Sequence, residues 1–245
     1  MLENKKYSYP CVGELPKKPD MDLIKGFLDQ PGLVWEDPFV SQPGISMVNG
    51  EVAETTLKTI EHLCLTGPSK HDNAKTGQAY RLEEMAGEER RELSNKEWKN
   101  ISVKDKLKGR AGHLMNEYNW GDPYDFYKDS ELHKYITEFF APDPIIRIRF
   151  SRMKPGAHIP PHVDYNTTYA VRFIIPISGN EGVINRFWYR GEEKDFFLEN
   201  GKAYFLNIGF KHAVYHNGDK ERLYLIGTLG GQSSIEPIKI DKYIQ

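Results

Sequence analysis

The stretch Ile145-Ile146-Arg147-Ile148-Arg149-Phe150 decides how this chain is read. From Ile146 on, apolar and charged residues alternate, which is the period of a strand with two unlike faces. Strand-like runs return at Tyr169 to Ile177, Val183 to Tyr189, Lys202 to Asn207, His212 to His216 and Arg222 to Leu229. Turn-formers separate them: Lys154-Pro155-Gly156, Asn180 with Gly182, Asn200-Gly201 and Asn217-Gly218. Proline presets φ and glycine accepts positive φ, so each is a place where the chain can reverse. Short strands at this spacing predict a sandwich or barrel, such as a double-stranded β-helix of the jelly-roll or cupin-like type.

Residues 1–140 read differently. Asp20 is placed to cap a short helix with Leu23, Ile24, Phe27 and Leu28 on one side, ended by Pro31-Gly32. Leu57, Ile60, His62 and Cys64 suggest a second helical stretch, and Leu82 to Leu93 is rich in Glu and Arg around Gly87. Leu132, Tyr135, Ile136, Phe139 and Phe140 form a helical stripe, with Ser130 as cap and Pro142 as stop. The fold class expected is therefore mainly β with flanking helices. A helical or irregular region over 1–140 packs on a catalytic core over 141–245, in one compact domain.

Composition narrows the class. Of 245 residues, 39% are hydrophobic and 28% charged, which suits a folded protein. The net charge of −2 gives no general affinity for polyanions, so nucleic acid is not expected as a partner. The Lys-rich run from Lys96 to Arg110 also holds Glu97 and Asp105, and reads as a solvated face. Cys11 and Cys64 make no disulfide framework, which fits a reducing compartment. No run reaches the roughly 18 apolar residues of a membrane span, and the first residues show no signal-peptide core. A cytoplasmic protein with a small-molecule or amino-acid-type substrate is expected.

Chemistry concentrates at His162-Val163-Asp164 and at His212. On a strand, His162 and Asp164 point to the same face about 6–7 Å apart, close enough to converge on one ion. Two histidines and a carboxylate on one side of a metal, with the other side open, is the ligand pattern of non-haem Fe(II) oxygenases. His216 competes with His212 for the second imidazole. The two are roughly 13 Å apart along a strand, too far to share a metal. The Asn217-Gly218 turn beside His216 favours His212. His62, His71, His113 and His133 are read as structural or surface residues.

Two segments carry a family resemblance. Ser151-Arg-Met-Lys-Pro-Gly-Ala-His158-Ile-Pro-Pro-His162 resembles the approach to the first iron ligand in aspartyl/asparaginyl β-hydroxylase-like oxygenases. Gly201 through Asn217, with its Phe-Lys-His212-Ala-Val core, resembles their second-histidine segment, and Arg222 follows His212 by ten residues. The resemblance covers about residues 145–230 and includes bacterial free-proline hydroxylases.

The resemblance implies that His162, Asp164 and His212 hold Fe(II) and are the catalytic centre. It implies that Arg222 pairs with the distal carboxylate of 2-oxoglutarate and that Ser151 donates a hydrogen bond to it. A planar, permanently charged guanidinium suits that task. A short loop of about three residues after His216 would put Arg222 on the same face as His212. Animal members carry glycine where this chain has Asp164, and halogenating relatives lack the carboxylate, so Asp164 argues for hydroxylation. The family's Arg-x-His is replaced here by Tyr169-Ala-Val-Arg172, whose arginine either contacts co-substrate or substrate, or faces outward. The implied reaction consumes 2-oxoglutarate and O2, releases succinate and CO2, and hydroxylates a C–H bond. His158, Tyr165, Asn166 and His216 are candidates for orienting the ligands, while Trp188 and Tyr204 read as core. Two other readings stay open: a cupin-type metalloprotein such as an isomerase or non-oxoglutarate dioxygenase, and a silent binding module on the same fold.

Overall fold

Alternation along Ile145–Met153 (β5) builds the central wall of the computed structural model, which describes residues 10–35, 60–67, 121–163 and 171–229. Ile148 and Phe150 face one hydrophobic cluster, and Met153 faces another on the opposite side. The remaining strands are β1 (Val12–Glu14), β2 (Ile60–Cys64), β3 (Thr66–Gly67), β4 (Asp122–Pro123), β6 (His158–His162) and β7 (Val171–Ser178). They are followed by β8 (Val183–Tyr189), β9 (Glu192–Phe196), β10 (Tyr204–Leu206), β11 (Lys211–His216) and β12 (Arg222–Leu229). The larger sheet has the order β1-β10-β7-β12-β5-β2 and the smaller one β6-β11-β8-β9, with β3 and β4 paired apart. Every pairing is antiparallel. The two main sheets enclose a core that includes Met153, Ile174, Phe187, Tyr189, Leu206 and Tyr224. This is the double-stranded β-helix expected from the strand spacing.

Helices cover the outer face of the larger sheet. In α1 (Met21–Leu28) the Asp20 carboxylate accepts hydrogen bonds from the backbone N–H of Asp22 and Leu23 at 3.1 and 3.0 Å. A short α2 (Asp125–Lys128) precedes α3 (Glu131–Phe140), where the Ser130 hydroxyl accepts from the His133 N–H at 3.1 Å. Ile24 and Phe27 of α1, and Leu132, Ile136 and Phe140 of α3, pack with Phe150, Phe173, Ile175 and Leu225 of the sheet. The ring of Phe140 lies 4.2 Å from that of Phe173. Ordering these helices thus buries the sheet face that the barrel itself leaves apolar.

One expected helix is a strand. Ile60 to Cys64 forms β2 and pairs along β5, with His62 opposite Ser151 and Cys64 opposite Arg149. Ile60 and Leu63 then face opposite sides of the sheet, the first toward the inter-sheet core and the second toward the helices. Pairing with an open sheet edge outweighed a helical pattern of only a few residues. Strands β1 and β9 carry no clear alternation and were not anticipated. Leu57, the Leu82 to Leu93 stretch and the Lys96 to Arg110 run lie outside the described residues. No described helix is long and apolar enough to cross a membrane.

Candidate active site

His162 ends β6 and His212 lies near the start of β11, and the sheet pairs them directly. A bulge between His212 and Val214 shifts the register beside them. Their ring centroids are 4.3 Å apart at 50°. Phe187 of β8, the partner of His212 on its other side, stacks on it at 5.5 Å and 21°. Phe187 belongs to the inter-sheet core, so both imidazoles belong to the interior of the barrel.

The imidazole hydrogen bonds fix the tautomers. His162 Nδ1 donates to the Pro160 carbonyl at 2.7 Å, and His212 Nδ1 donates to the Phe210 carbonyl at 2.9 Å. A carbonyl only accepts, so each Nδ1 carries the proton and each Nε2 presents its lone pair. A metal–nitrogen bond of about 2.0–2.1 Å can reach both rings at this separation. Asp164, Tyr165 and Asn166 lie outside the described residues. Among the described residues no three His, Cys, Asp or Glu side chains gather as a metal site.

His216 is used otherwise. Its Nε2 donates to the Lys220 carbonyl at 2.7 Å and its Nδ1 accepts from the Gly218 N–H at 3.2 Å. Both nitrogens thereby pin the turn between β11 and β12. Burial holds its pKa below the ordinary value, with Arg222 nearby acting in the same direction and the Lys220 carbonyl opposing.

That turn delivers Arg222 to the first position of β12, opposite Met153. The loop spans 217–221, longer than the sequence reading supposed, and it crosses from one sheet to the other. Arg222 and His212 therefore share no sheet face; they look at the same interior from opposing walls. The guanidinium is 1% exposed and lies 4.2 Å from the ring of Tyr224. Its Nε and Nη2 have no hydrogen-bond partner, and neither does the buried Ser151 Oγ. Ser151 pairs with Tyr224, one step along the sheet from Arg222. Burial lowers the Arg222 pKa, and Tyr224 partly offsets this. Leaving such groups unsatisfied costs about 1–3 kcal/mol each. A carboxylate would satisfy all three atoms, so the residues present fit 2-oxoglutarate's distal end.

Arg172 shares the inner face with Ile174 and donates to the Thr228 hydroxyl. Of the residues read as core, Tyr204 is buried between the sheets and accepts from the Glu199 N–H at 3.0 Å. Trp188 instead donates to Glu193 at 2.9 Å on the outer side, under Lys211. Three contributors escaped the sequence reading. Phe187 had no signal beyond its strand. The carbonyls of Pro160 and Phe210 stand two residues before each histidine, a spacing that could have pointed to them.

The profile of the family described as aspartyl/asparaginyl beta-hydroxylase matches residues 71–229, well over half of the chain. The chain belongs to the aspartyl/asparaginyl β-hydroxylase family. The match begins far upstream of the segment whose resemblance was visible in the sequence. Solved structures similar to this family member include an oxidoreductase of the 2-oxoglutarate/Fe(II) oxygenase family from Burkholderia pseudomallei. It is 14% identical over 70% of this chain and 66% of its own, with a TM-score of 0.37. HygX from Streptomyces hygroscopicus, with nickel, 2-oxoglutarate and hygromycin B bound, is 10% identical over 38% and 57%, with a TM-score of 0.31. A cupin domain from Bordetella pertussis is 15% identical over 35% and 81%, with a TM-score of 0.28. This hydroxylase-family chain thus spans just under two thirds of the Burkholderia protein. No curated protein matches it.

Proposed function

We propose that this chain is an Fe(II)- and 2-oxoglutarate-dependent dioxygenase. It hydroxylates an unactivated C–H bond of an amino acid, an amino-acid derivative or a peptidyl residue, with release of succinate and CO2. The observation that carries the reading is the buried, unpartnered set of Arg222 Nε, Arg222 Nη2 and Ser151 Oγ across the barrel from two imidazoles. A cupin-type metalloprotein acting without an oxoacid has no use for that set.

In this reading His162 and His212 hold iron through Nε2, and Asp164 supplies the carboxylate. The carbonyls of Pro160 and Phe210 keep both rings in the right tautomer and raise their basicity. Arg222 grips the distal carboxylate of 2-oxoglutarate and Ser151 adds a hydrogen bond. Arg172 stands on the same inner wall, six β12 positions from Arg222 in register, and is left for the substrate. Iron, when bound with 2-oxoglutarate and O2, supplies the oxidising chemistry. Phe187, Tyr224 and Ile174 line the interior with apolar surface and keep water from the reacting centre.

The test is an anaerobic titration of the full chain with Fe(II) and 2-oxoglutarate, followed by air. A visible charge-transfer band and then succinate are expected. Metal bound with neither band nor succinate would sink the proposal.

A further inference from the structure

Arg149 is a second buried guanidinium that the site described above does not use. It is 6% exposed, and its Nε has no hydrogen-bond partner. Its Nη1 donates to the Arg147 carbonyl at 3.2 Å. Alternation along β5 puts Arg149 on the inner face with Ser151 and Met153, since Ile148 and Phe150 face the helices. It pairs with Ile226 of β12 and Cys64 of β2, and among the described residues no carboxylate acts on it. Arg147 and Arg172 both work against its protonation. Burial is the larger influence, and together they push its pKa down to about 9, while Cys64 and Tyr224 pull it back. His62, two positions along β2 from the Cys64 that pairs with Arg149, is likewise held neutral by burial, by Arg149 and by Arg147. The Arg149 guanidinium is thus buried on the inner wall with its Nε unpartnered and two further arginines acting on it. A buried cation in such surroundings is costly unless an anion completes it.

We propose that Arg149, flanked by Arg172 and His62, forms a second anion-binding site in the barrel, which takes a carboxylate- or sulfate-sized oxyanion distinct from the one at Arg222. Arg149 and Arg222 lie four β5 positions apart in register, about 13 Å along the strand direction. One small carboxylate cannot serve both. With 2-oxoglutarate at Arg222, the anion at Arg149 belongs to the substrate, so the enzyme selects substrates with an anionic group. That last step rests on the oxygenase reading; the existence of the site does not.

Sulfate is the probe. Isothermal titration of the full chain is expected to show two sulfate sites, of which saturating 2-oxoglutarate with Mn(II) displaces one. Arg149→Met should remove the site that 2-oxoglutarate leaves, with its Kd rising at least roughly 30-fold. Arg149→Lys, which keeps the charge but loses the planar fork, should weaken it less. In crystals of the wild-type chain grown with selenate, an anomalous peak is expected within hydrogen-bond reach of Arg149 Nε, a result that needs no variant to fold. An undisplaced sulfate that binds Arg149→Met unchanged is an adventitious ion only and overturns the proposal. So does displacement of the Arg149-dependent sulfate by 2-oxoglutarate, or a selenate map without the peak. If 2-oxoglutarate displaces neither sulfate while Arg149→Met still removes one, the second site stands and the co-substrate assignment fails.

Discussion

At the scale of single residues, one pair of like side chains is separated by its hydrogen bonds. His212 and His216 have the same chemistry and both are buried. His212 donates from Nδ1 to a backbone carbonyl, and His216 commits both nitrogens to its turn. His212→Ala should therefore lower metal affinity by at least roughly 100-fold, more than loss of a ligand-orienting group would. His216→Ala should leave metal binding close to wild type and cost about 1–3 kcal/mol of stability. Metal titration and denaturant unfolding of both variants check this. Arg222 gives a prediction of opposite signs. Without ligand its guanidinium is buried and incompletely paired, so Arg222→Met should raise the melting temperature, as replacement of a buried charge can be worth about 1–4 kcal/mol. The same variant should weaken 2-oxoglutarate binding by about 2–5 kcal/mol, read as loss of the thermal shift that the co-substrate gives the wild type.

At the scale of elements, the strands with strong alternation were legible and the others were not. Val183–Tyr189 matches its sequence boundaries because its even and odd residues meet different environments throughout. The strand Glu192–Phe196 sits at the edge of the smaller sheet, half in solvent, and nothing in its Glu-Glu-Lys-Asp run announces pairing. Asp20 and Ser130 were readable as caps because capping depends on a few local residues. Ile60–Cys64 was not readable as a strand, since its partner β5 lies far along the chain. Gly227 is another local residue with a distant reason. It pairs directly with Phe173 of β7, whose ring would lie 2.5 Å from an added Cβ. That ring is fully buried and packed against Phe140, so it has little room to yield. Gly227→Ala should destabilise the chain by about 1–3 kcal/mol in urea unfolding.

At the scale of the whole molecule, histidines buried beside arginines link stability to pH. His62 is held neutral by burial first, then by Arg149 and Arg147, and burial likewise depresses His216. In the unfolded chain both protonate near pH 6.5, the ordinary value. Below that pH the unfolded state binds more protons, so stability falls as pH falls, from about 6.5 down toward the lowered folded values. Melting temperatures recorded between pH 5 and 8 should show this decline, and His62→Gln should flatten part of it. An unchanged slope in His62→Gln would mean that His62 takes no part.

The sequence by itself determined the class of fold, the helix caps and the spacing of His162, His212 and Arg222, because these depend on local periodicity and on order along the chain. Tertiary structure decided which atoms those residues can offer. The tautomers of the two imidazoles follow from carbonyls two residues back along the chain. The loop between β11 and β12 put Arg222 on the opposing wall instead of beside His212. The burial of Arg149 could not be read from a strand in which it looked like an ordinary charged residue. Alternation says that every second residue shares a face; only the packing of two sheets says that the face is closed to water.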